Sequence, residues 1–254
     1  MNRRAFLRHL AVLAAGPMLG LWPLREAPAA SPGAARIALI VDDIGYSRRR
    51  LERFLRLELP LTFAVLPRLA HSGPCAAAVA RAGHQVLLHQ PMQPMQPRFD
   101  PGPGALYVGD APERLDRVLR NNIDSLPQAA GVNNHMGSLF TGSQPEIRQA
   151  LEVIRDQGLF FIDSLTSHRS QAYQTACGIG MPCSRRNVFL DNRAEVPYIQ
   201  AQLERLTAVA RRGGTALAIG HPHRETAEAI GRFAPRWKRQ GIRLVHASNL
   251  LGEA

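Results

Sequence analysis

The segment RIALIVDD, residues 36–43, decides the fold, because a short apolar run ends there in two adjacent acidic residues. Later segments repeat this pattern, in which an apolar run leads into a group that can bind a metal ion or transfer a proton. These segments are QVLLH (85–89), GVNNH (131–135), LFFID (159–163) and TALAIGHPH (215–223). Because reactive groups of parallel α/β folds gather at the carboxyl ends of strands, the sequence predicts one site built from distant segments.

Short apolar runs alternate with amphipathic stretches from residue 36 onward, which is typical of parallel strands joined by helices. The predicted strands lie at 37–41, 61–66, 85–89, 131–133, 159–162, 215–219 and 242–245. The predicted helices lie at 48–57, 73–82, 112–125, 145–157, 196–212 and 225–240. This order predicts an α/β fold, and seven main strands with intervening helices favour an irregular β/α barrel over an open sheet.

Two stretches interrupt this alternation. Residues 90–110 are too rich in proline and glycine for a regular element, and residues 164–192 form a predicted long loop with one short strand at 188–190. Each stretch follows a strand end that carries a candidate functional group. Since long loops in compact domains are usually functional or mobile, we expect both to form walls of the site, the alternative for the first being a disordered surface excursion.

The first thirty residues resemble an export signal. NRRAFLR at 2–8 contains two adjacent arginines, an apolar stretch follows at 10–22, and the small residues at 27–29 suit cleavage. We therefore predict a twin-arginine signal at 1–30, recognised by the twin-arginine export machinery, and one mature domain at 31–254. The mature protein is expected to be periplasmic or secreted, without a stable transmembrane segment. An uncleaved membrane anchor is the alternative.

Charge and cysteine content limit the partners of the protein. The formal net charge is +11, but the arginines are scattered and no aromatic platform accompanies them, so nucleic acid is not an expected partner. An anionic envelope polymer suits this surface better. The cysteines are Cys75, Cys177 and Cys183. An oxidising compartment permits a disulfide between Cys177 and Cys183, and two ordinary thiols are the equal alternative.

Asp42 and Asp43 are the first candidate site residues, since they close the first predicted strand. Neighbouring side chains of a strand point to opposite faces, but both carboxylates can reach one mouth where the chain turns. One carboxylate can then bind a metal ion while the other accepts a proton from water. The alternative role is helix capping, for which Ser47 is better placed.

His89 and His135 follow the third and fourth predicted strands. Together with Asp43 they form a set of two imidazoles and one carboxylate, which is typical of a catalytic site for a divalent metal ion such as Zn²⁺. Either histidine alone could instead have a structural role. Asn133 and Asn134 precede His135, and we expect them to orient a ligand or to bind substrate.

His221 and His223 follow the strand that ends near residue 219. One of these imidazoles can act as a general acid, and His221 is preferred because it is nearer to the strand end. His223 could cap the next helix, face solvent or bind substrate. Asp163 ends the fifth strand and could orient His221 or bind substrate, with a turn-forming role as the equal alternative. Nucleotide chemistry and serine-hydrolase chemistry lack their GxxxxGK, GxGxxG and GxSxG motifs in this sequence.

These motifs together resemble the divergent polysaccharide deacetylase family. The resemblance extends in order over essentially the whole predicted mature chain. It is carried by IALIVDDIGYS (37–47), LTFAVLP (61–67), VLLHQPMQP (86–94), NNHMGS (133–138), FFIDSLTS (160–167), RRNVFLDN (185–192) and AIGHPH (218–223).

The resemblance implies a distorted seven-stranded β/α barrel related to metal-dependent carbohydrate deacetylases. It implies that Asp42 is the base, Asp43 a metal ligand and His221 the acid, and that the substrate is an acetylated glycan or a peptidoglycan-like polymer. Ordinary polysaccharide deacetylases take both histidine ligands from one His-x-x-x-His turn, and this chain has Gln93 four residues after His89. His135 is therefore the expected second histidine ligand.

The residues leave two main classes of function open, besides a metal hydrolase that acts on another ester or amide. The first is an exported metal-dependent hydrolase that removes N- or O-acetyl groups from an envelope polysaccharide. The second is a catalytically silent protein that binds glycans or assists envelope assembly while it keeps the same barrel.

Overall fold

The computed structural model describes residues 34–252. The predicted export signal at 1–30 lies outside these residues, so its prediction stands as made. Within residues 34–252, no helix is both long enough and apolar enough to cross a membrane.

Strands and helices alternate along the described chain. The strands are β1 (Arg36–Ile44), β2 (Thr62–Val65), β3 (Gln85–Met92), β4 (Ala129–Met136), β5 (Phe160–Asp163), β6 (Cys183–Arg185), β7 (Val188–Phe189), β8 (Thr215–Gly220) and β9 (Arg243–Val245). The helices are α1 (Arg48–Leu55), α2 (Ser72–Arg81), α3 (Pro112–Asp124), α4 (Gln144–Asp156), α5 (Ala172–Gly178), α6 (Val196–Gly213) and α7 (Arg224–Arg239).

All strand pairs in the sheet are parallel, and the strand order is β6-β5-β4-β3-β2-β1-β8-β7 with β9 added beside β1. β8 pairs with residues 36–41 of β1. β9 pairs with residues 36–38 and β2 with residues 40–44, so these two strands follow one another along the other edge of β1. The sheet curls into an incomplete barrel surrounded by helices, and the predicted β/α barrel is confirmed.

Successive side chains of β1 point to opposite faces of the sheet and pack in two different apolar clusters. Ile37 and Leu39 pack in the larger cluster, which includes buried side chains of the surrounding helices. Ala38 and Ile40 belong to a smaller cluster made mainly of strand residues. Since successive side chains of a strand point to opposite faces, this smaller cluster fills the inside of the barrel. Asp42 is two residues beyond Ile40, so the same alternation directs it toward the inner face.

The inner cluster closes the barrel below the candidate site. The Phe160 ring lies so close to Gly131 that a Cβ on this glycine would approach the ring to 2.6 Å, so the ring needs a residue without a side chain there. A final 3₁₀ turn, Ala247–Leu250, packs on the same cluster. The Ala247 amide donates to Thr62 Oγ1 at 3.0 Å, which fixes this turn at the start of β2.

The structure corrects parts of the element prediction. The predicted loop at 164–192 also contains α5 and β6, so that β6 and the predicted short strand β7 bring the sheet from seven main strands to nine within residues 34–252. β1, β3 and β4 extend past their predicted ends at 41, 89 and 133, because the pairing of β1 with β2 and of β3 with β4 continues beyond these positions. Cys177 of α5 and Cys183 of β6 are free thiols with sulfur atoms 2.7 Å apart.

Candidate metal centre

The end of β1 brings two carboxylates to one place. Asp43 has a left-handed backbone with φ of +57°, and the pairing of β1 with β2 shifts register between Val41 and Ile44. This irregularity changes the direction of the chain after Asp42. Asp42 Oδ2 lies 3.6 Å and Asp43 Oδ1 3.2 Å from Nε2 of His89. Both acidic side chains therefore reach the same imidazole.

β3 and β4 supply two histidines to the same place. His89 pairs in register with Asn133, and His135 follows two residues later on the same face of β4. The His135 Nδ1 atom lies 3.0 Å from Asp43 Oδ1 and 3.2 Å from His89 Nε2. Asp43 Oδ1, His89 Nε2 and His135 Nδ1 thus form a nearly equilateral triangle, which we call the Asp43 triad.

The Asp43 triad fits a divalent metal ion. Three donor atoms bound to one tetrahedral zinc ion at about 2.0–2.2 Å lie about 3.3–3.6 Å apart. The observed separations of 3.0–3.2 Å are slightly shorter, so a small outward movement accommodates an ion. Asp43 Oδ1 is buried and accepts no hydrogen bond of normal geometry. A buried carboxylate oxygen of this kind is costly without a cation, which supports the metal-binding interpretation.

Asn133 prepares His89 for this role. The His89 Nδ1 atom donates to Asn133 Oδ1 at 2.8 Å, so the neutral ring presents the lone pair of Nε2 to the triad. The amide nitrogen of Asn133 donates to Asp42 Oδ1 at 2.8 Å and lies 3.2 Å from Ser164 Oγ. One buried side chain therefore orients both a metal-ligating histidine and the neighbouring carboxylate.

The two carboxylates differ in their affinity for protons. Burial acts to raise the pKa of Asp43, but the side chains of His135 and His89 outweigh burial and hold this pKa well below its usual range. Burial raises the pKa of Asp42, and the charges of His89 and His221 only partly offset this rise. Asp43 is thus suited to bind a cation, and Asp42 is suited to accept a proton.

His221 lies on the other side of the mouth, with Nε2 3.8 Å from Asp43 Oδ2. Its Nδ1 atom donates to Asp191 Oδ1 at 3.0 Å, and its backbone amide donates to Asp191 Oδ2 at 2.6 Å. Burial acts to lower the pKa of His221, but the hydrogen bond and charge of Asp191 raise it to about 9. His221 therefore holds a proton on the ring nitrogen that faces the mouth at neutral pH.

Asp191 lies in the site, and the sequence prediction did not include it. It directly follows the apolar stretch VFL at 188–190, so the pattern that singled out Asp42 also applied to it. Asp191, and not Asp163, holds the orientation of His221. Asp163 Oδ1 accepts from the Leu165 amide at 2.7 Å, and its Oδ2 accepts from Ser170 Oγ at 2.7 Å. The turn-forming alternative for Asp163 is therefore the observed arrangement.

Two further predicted residues lie beside the site. The Asn134 side chain donates to the Met136 carbonyl at 2.8 Å and accepts from the Ser164 amide at 2.9 Å, so it holds the loop after β5 against β4. His223 precedes α7 at its N-cap position, and its ring centroid lies 6.0 Å from that of His221. Neither residue belongs to the Asp43 triad.

Arg186 is a second residue that the sequence prediction did not include. Its guanidinium donates to the backbone oxygens of Ser164 and Leu165 at 2.6 and 2.7 Å and lies 5.0 Å from the Phe189 ring centroid. Burial lowers the pKa of Arg186, and the charges of Asp163 and Asp42 act against this shift. A cation thus supports the loop beside the Asp42 carboxylate.

Comparison with known proteins gives a family match and several relatives. Residues 39–251 match the profile of the family described as divergent polysaccharide deacetylase. YibQ of Escherichia coli K12, described as uncharacterised, is 33% identical over 222 residues, which are 87% of this chain and 68% of YibQ.

Solved structures show the same fold. The structure of an uncharacterised protein from Agrobacterium tumefaciens C58 has a TM-score of 0.81 at 27% identity, covering 85% of this chain and 89% of that protein. A mutant of BA3943 from Bacillus anthracis, described as a CE4 family pseudoenzyme with restored enzymatic activity, has a TM-score of 0.52 at 17% identity. That likeness covers 87% of this chain and 69% of BA3943, and it concerns the fold alone.

Proposed function

The chain belongs to the divergent polysaccharide deacetylase family, and from this premise we propose that it is a metal-dependent hydrolase that removes acetyl groups from an envelope glycan. The observation that carries the proposal is the Asp43 triad, flanked by Asp42 and by His221. When bound there, a Zn²⁺-class ion supplies Lewis-acid chemistry that activates water and polarises an acyl carbonyl.

In this proposal, side chains of the protein carry out the proton transfers of the reaction. Asp42 accepts the proton of the attacking water, because burial raises the pKa of its carboxylate. Its Oδ2 atom also lies beside the Asp43 triad, 3.6 Å from His89 Nε2. His221 gives a proton to the departing nitrogen or oxygen of the sugar. Asp191 accepts from Nδ1 of His221, so the other ring nitrogen points toward Asp43 and the mouth.

The same proposal places the protein outside the cytoplasm, with the twin-arginine machinery as its export partner and an acetylated or peptidoglycan-like polymer as its substrate. The arginine pair in residues 2–8 supports this location. Replacement of Arg3 and Arg4 by lysine should retain the protein in the cytoplasmic fraction, and unchanged fractionation would remove the export part of the proposal.

The test combines metal content with acetate release. We expect about one divalent ion per purified chain, lost in Asp43→Ala, His89→Ala and His135→Ala together with acetate release from N-acetylated oligosaccharides. Asp42→Asn should keep the ion and lose about 10²–10⁴-fold in kcat/KM, the usual contribution of a general base. His71→Ala is the matched control, since His71 is exposed at the start of α2.

Each result separates the two classes of function. A wild-type protein without metal, or metal that persists in all three alanine variants, contradicts the assigned centre. Metal that depends on the triad, without acetate release from any acetylated glycan, would favour the catalytically silent glycan-binding protein.

A further inference from the structure

A depression of about 740 Å³ lies at the end of the barrel opposite to the Asp43 triad. Its wall includes Leu59 and Pro60, which come shortly before β2, and Ile242, which directly precedes β9. Because β1, β2 and β9 are parallel, the amino ends of these strands lie far from the carboxyl ends that carry the triad. The depression therefore shares no residue with the candidate metal centre.

The depression is a gap between the end of α1, the outer face of α7 and β9. Leu57, two residues beyond α1, forms one wall. On α7, Gly231 and Ala234 lie about one turn apart and have little or no side chain. Gly231 lies so close to Leu57 that a Cβ on this glycine would approach Leu57 Cδ2 to 3.1 Å. The resulting volume lies within the range of small-molecule pockets, about 300–1,000 Å³.

The depression keeps its shape without a ligand. The buried Trp237 side chain forms part of the wall and donates from Nε1 to Thr207 Oγ1 at 2.7 Å. The Ile242 amide donates to the Trp237 carbonyl at 3.0 Å, and the Arg243 amide donates to the Ala35 carbonyl at 2.8 Å. These bonds fix the turn between α7 and β9, so binding requires little ordering of the protein.

The charged groups that line the depression are both cations. Lys238 and Arg243 are exposed there, and neither forms an ion pair within residues 34–252. By contrast, Arg236 on the same helix pairs with Glu204. Within the described part of the chain, no acidic residue lines the depression. This apolar pocket with unpaired positive charges favours an anionic ligand.

The shape of the depression favours one amphiphilic molecule over a membrane surface. Proteins that lie on a membrane bury protruding apolar side chains in it. The large apolar side chains that protrude from residues 34–252 do not line the depression; they are Tyr46, Met95, Phe99, Val108 and Leu139. A concave apolar wall instead encloses a single chain.

We propose that this depression binds a single-chain fatty acid, with its acyl chain against Leu57 and Leu59 and its carboxylate beside Lys238 and Arg243. Contact with the apolar wall removes the methylene groups from water. The two cations, which have no acidic partner in the protein, attract the carboxylate. This inference goes beyond the proposed function, because it assigns a second ligand to the other end of the barrel.

The test is isothermal titration of the purified protein with decanoate, below the concentration at which decanoate forms micelles. Decanoate should bind about tenfold more tightly than octanoate, because its longer chain buries more methylene groups. Decyltrimethylammonium has the same chain length and the opposite charge, and it should bind at least about tenfold more weakly than decanoate.

Substitutions test the two parts of the pocket separately. Lys238→Gln combined with Arg243→Gln should weaken decanoate binding about tenfold, because both cations are removed. The matched control is Arg211→Gln combined with Arg239→Gln, since both arginines are exposed and neither lines the depression. The control should bind decanoate as the wild type does. Leu59→Asp places a carboxylate in the apolar wall and should weaken binding about tenfold or more.

The inference is overturned by the absence of decanoate binding, by equal affinities for octanoate and decanoate, or by equal losses of affinity in the two double variants. A dimer in analytical ultracentrifugation that dissociates in Leu59→Asp, without decanoate binding, would assign the depression to a second copy of the chain. Flotation with anionic phospholipid vesicles, without decanoate binding, would assign it to a membrane surface.

Discussion

Two groups of acidic and histidine side chains at the mouth look alike in composition and differ in bonding. The first is the Asp43 triad, and the second consists of Asp191, His221 and His223. Each group places potential ligand atoms within 4.8 Å of one another. Asp43 Oδ1 accepts no normal hydrogen bond, whereas the Asp191 carboxylate accepts from two nitrogens of His221 and from Thr226 Oγ1.

This difference in hydrogen bonding indicates that the two groups at the barrel mouth have different roles. A carboxylate oxygen without a hydrogen-bond donor, beside two ring nitrogens, keeps its lone pairs for a cation. A carboxylate with several donors has already used that capacity, and its charge instead holds a proton on the neighbouring imidazole. We therefore expect the Asp43 triad to hold metal and the Asp191–His221 pair to hold a proton.

The largest expected effect is on metal affinity. Asp43→Asn should weaken Zn²⁺ binding about 100-fold or more, because it removes the anionic ligand. Asp191→Asn should change the affinity by no more than about threefold, because Asp191 lies outside the triad. Competition with a zinc chelator measures both constants.

The control for this measurement is His223→Ala, which removes the third member of the second group and should leave Zn²⁺ affinity unchanged. Equal losses of affinity in Asp43→Asn and Asp191→Asn would contradict the division of tasks. A loss of metal in His223→Ala would identify the second group as the binding site.

A smaller effect concerns the pH dependence of acetate release. Asp191 raises the pKa of His221 to about 9, so the acid form of His221 is depleted only as the pH rises through that value. Asp191→Asn removes the charge 3.0 Å from Nδ1, so the pKa of His221 should fall. The basic limb of the kcat profile should move to lower pH, with kcat reduced about 10–100-fold at pH 8.

The profile distinguishes a change in protonation from simple damage to the site. Asp191→Glu restores the charge and should return the basic limb toward the wild-type position. A limb that stays in place in Asp191→Asn would show that His221 is not the acid.

Most of the fold could be predicted because most strands are recognisable in the sequence as apolar runs, for example residues 37–41 and 215–219. The errors lie where pairing in the folded chain decides the structure. β6 has only three residues, and a strand this short forms because the neighbouring strand completes its hydrogen bonds. α5 lies between a serine-rich stretch and a glycine-rich turn, where no helical pattern is long enough to detect.

The candidate site was partly predictable for the same reason. Strand ends singled out Asp42, Asp43, His89, His135 and His221, which the structure brings together. The pairing of each carboxylate with its imidazole depends on the left-handed turn at Asp43 and on hydrogen bonds across the sheet. Neither of these features could be predicted from the sequence. Asp191 follows the predicted strand at 188–190, so the same strand-end pattern was sufficient to identify it.

Because the inside of the barrel is filled below the site, substrate entry and product release both use the mouth of the barrel. Phe160 and the Ala247–Leu250 turn fill the inside below the triad, among buried apolar side chains. A molecule that reaches the triad must therefore leave through the opening by which it arrived. If the proposed reaction occurs, acetate and the deacetylated glycan must leave through the same opening. A glycan that stays bound at the mouth would then delay the release of acetate.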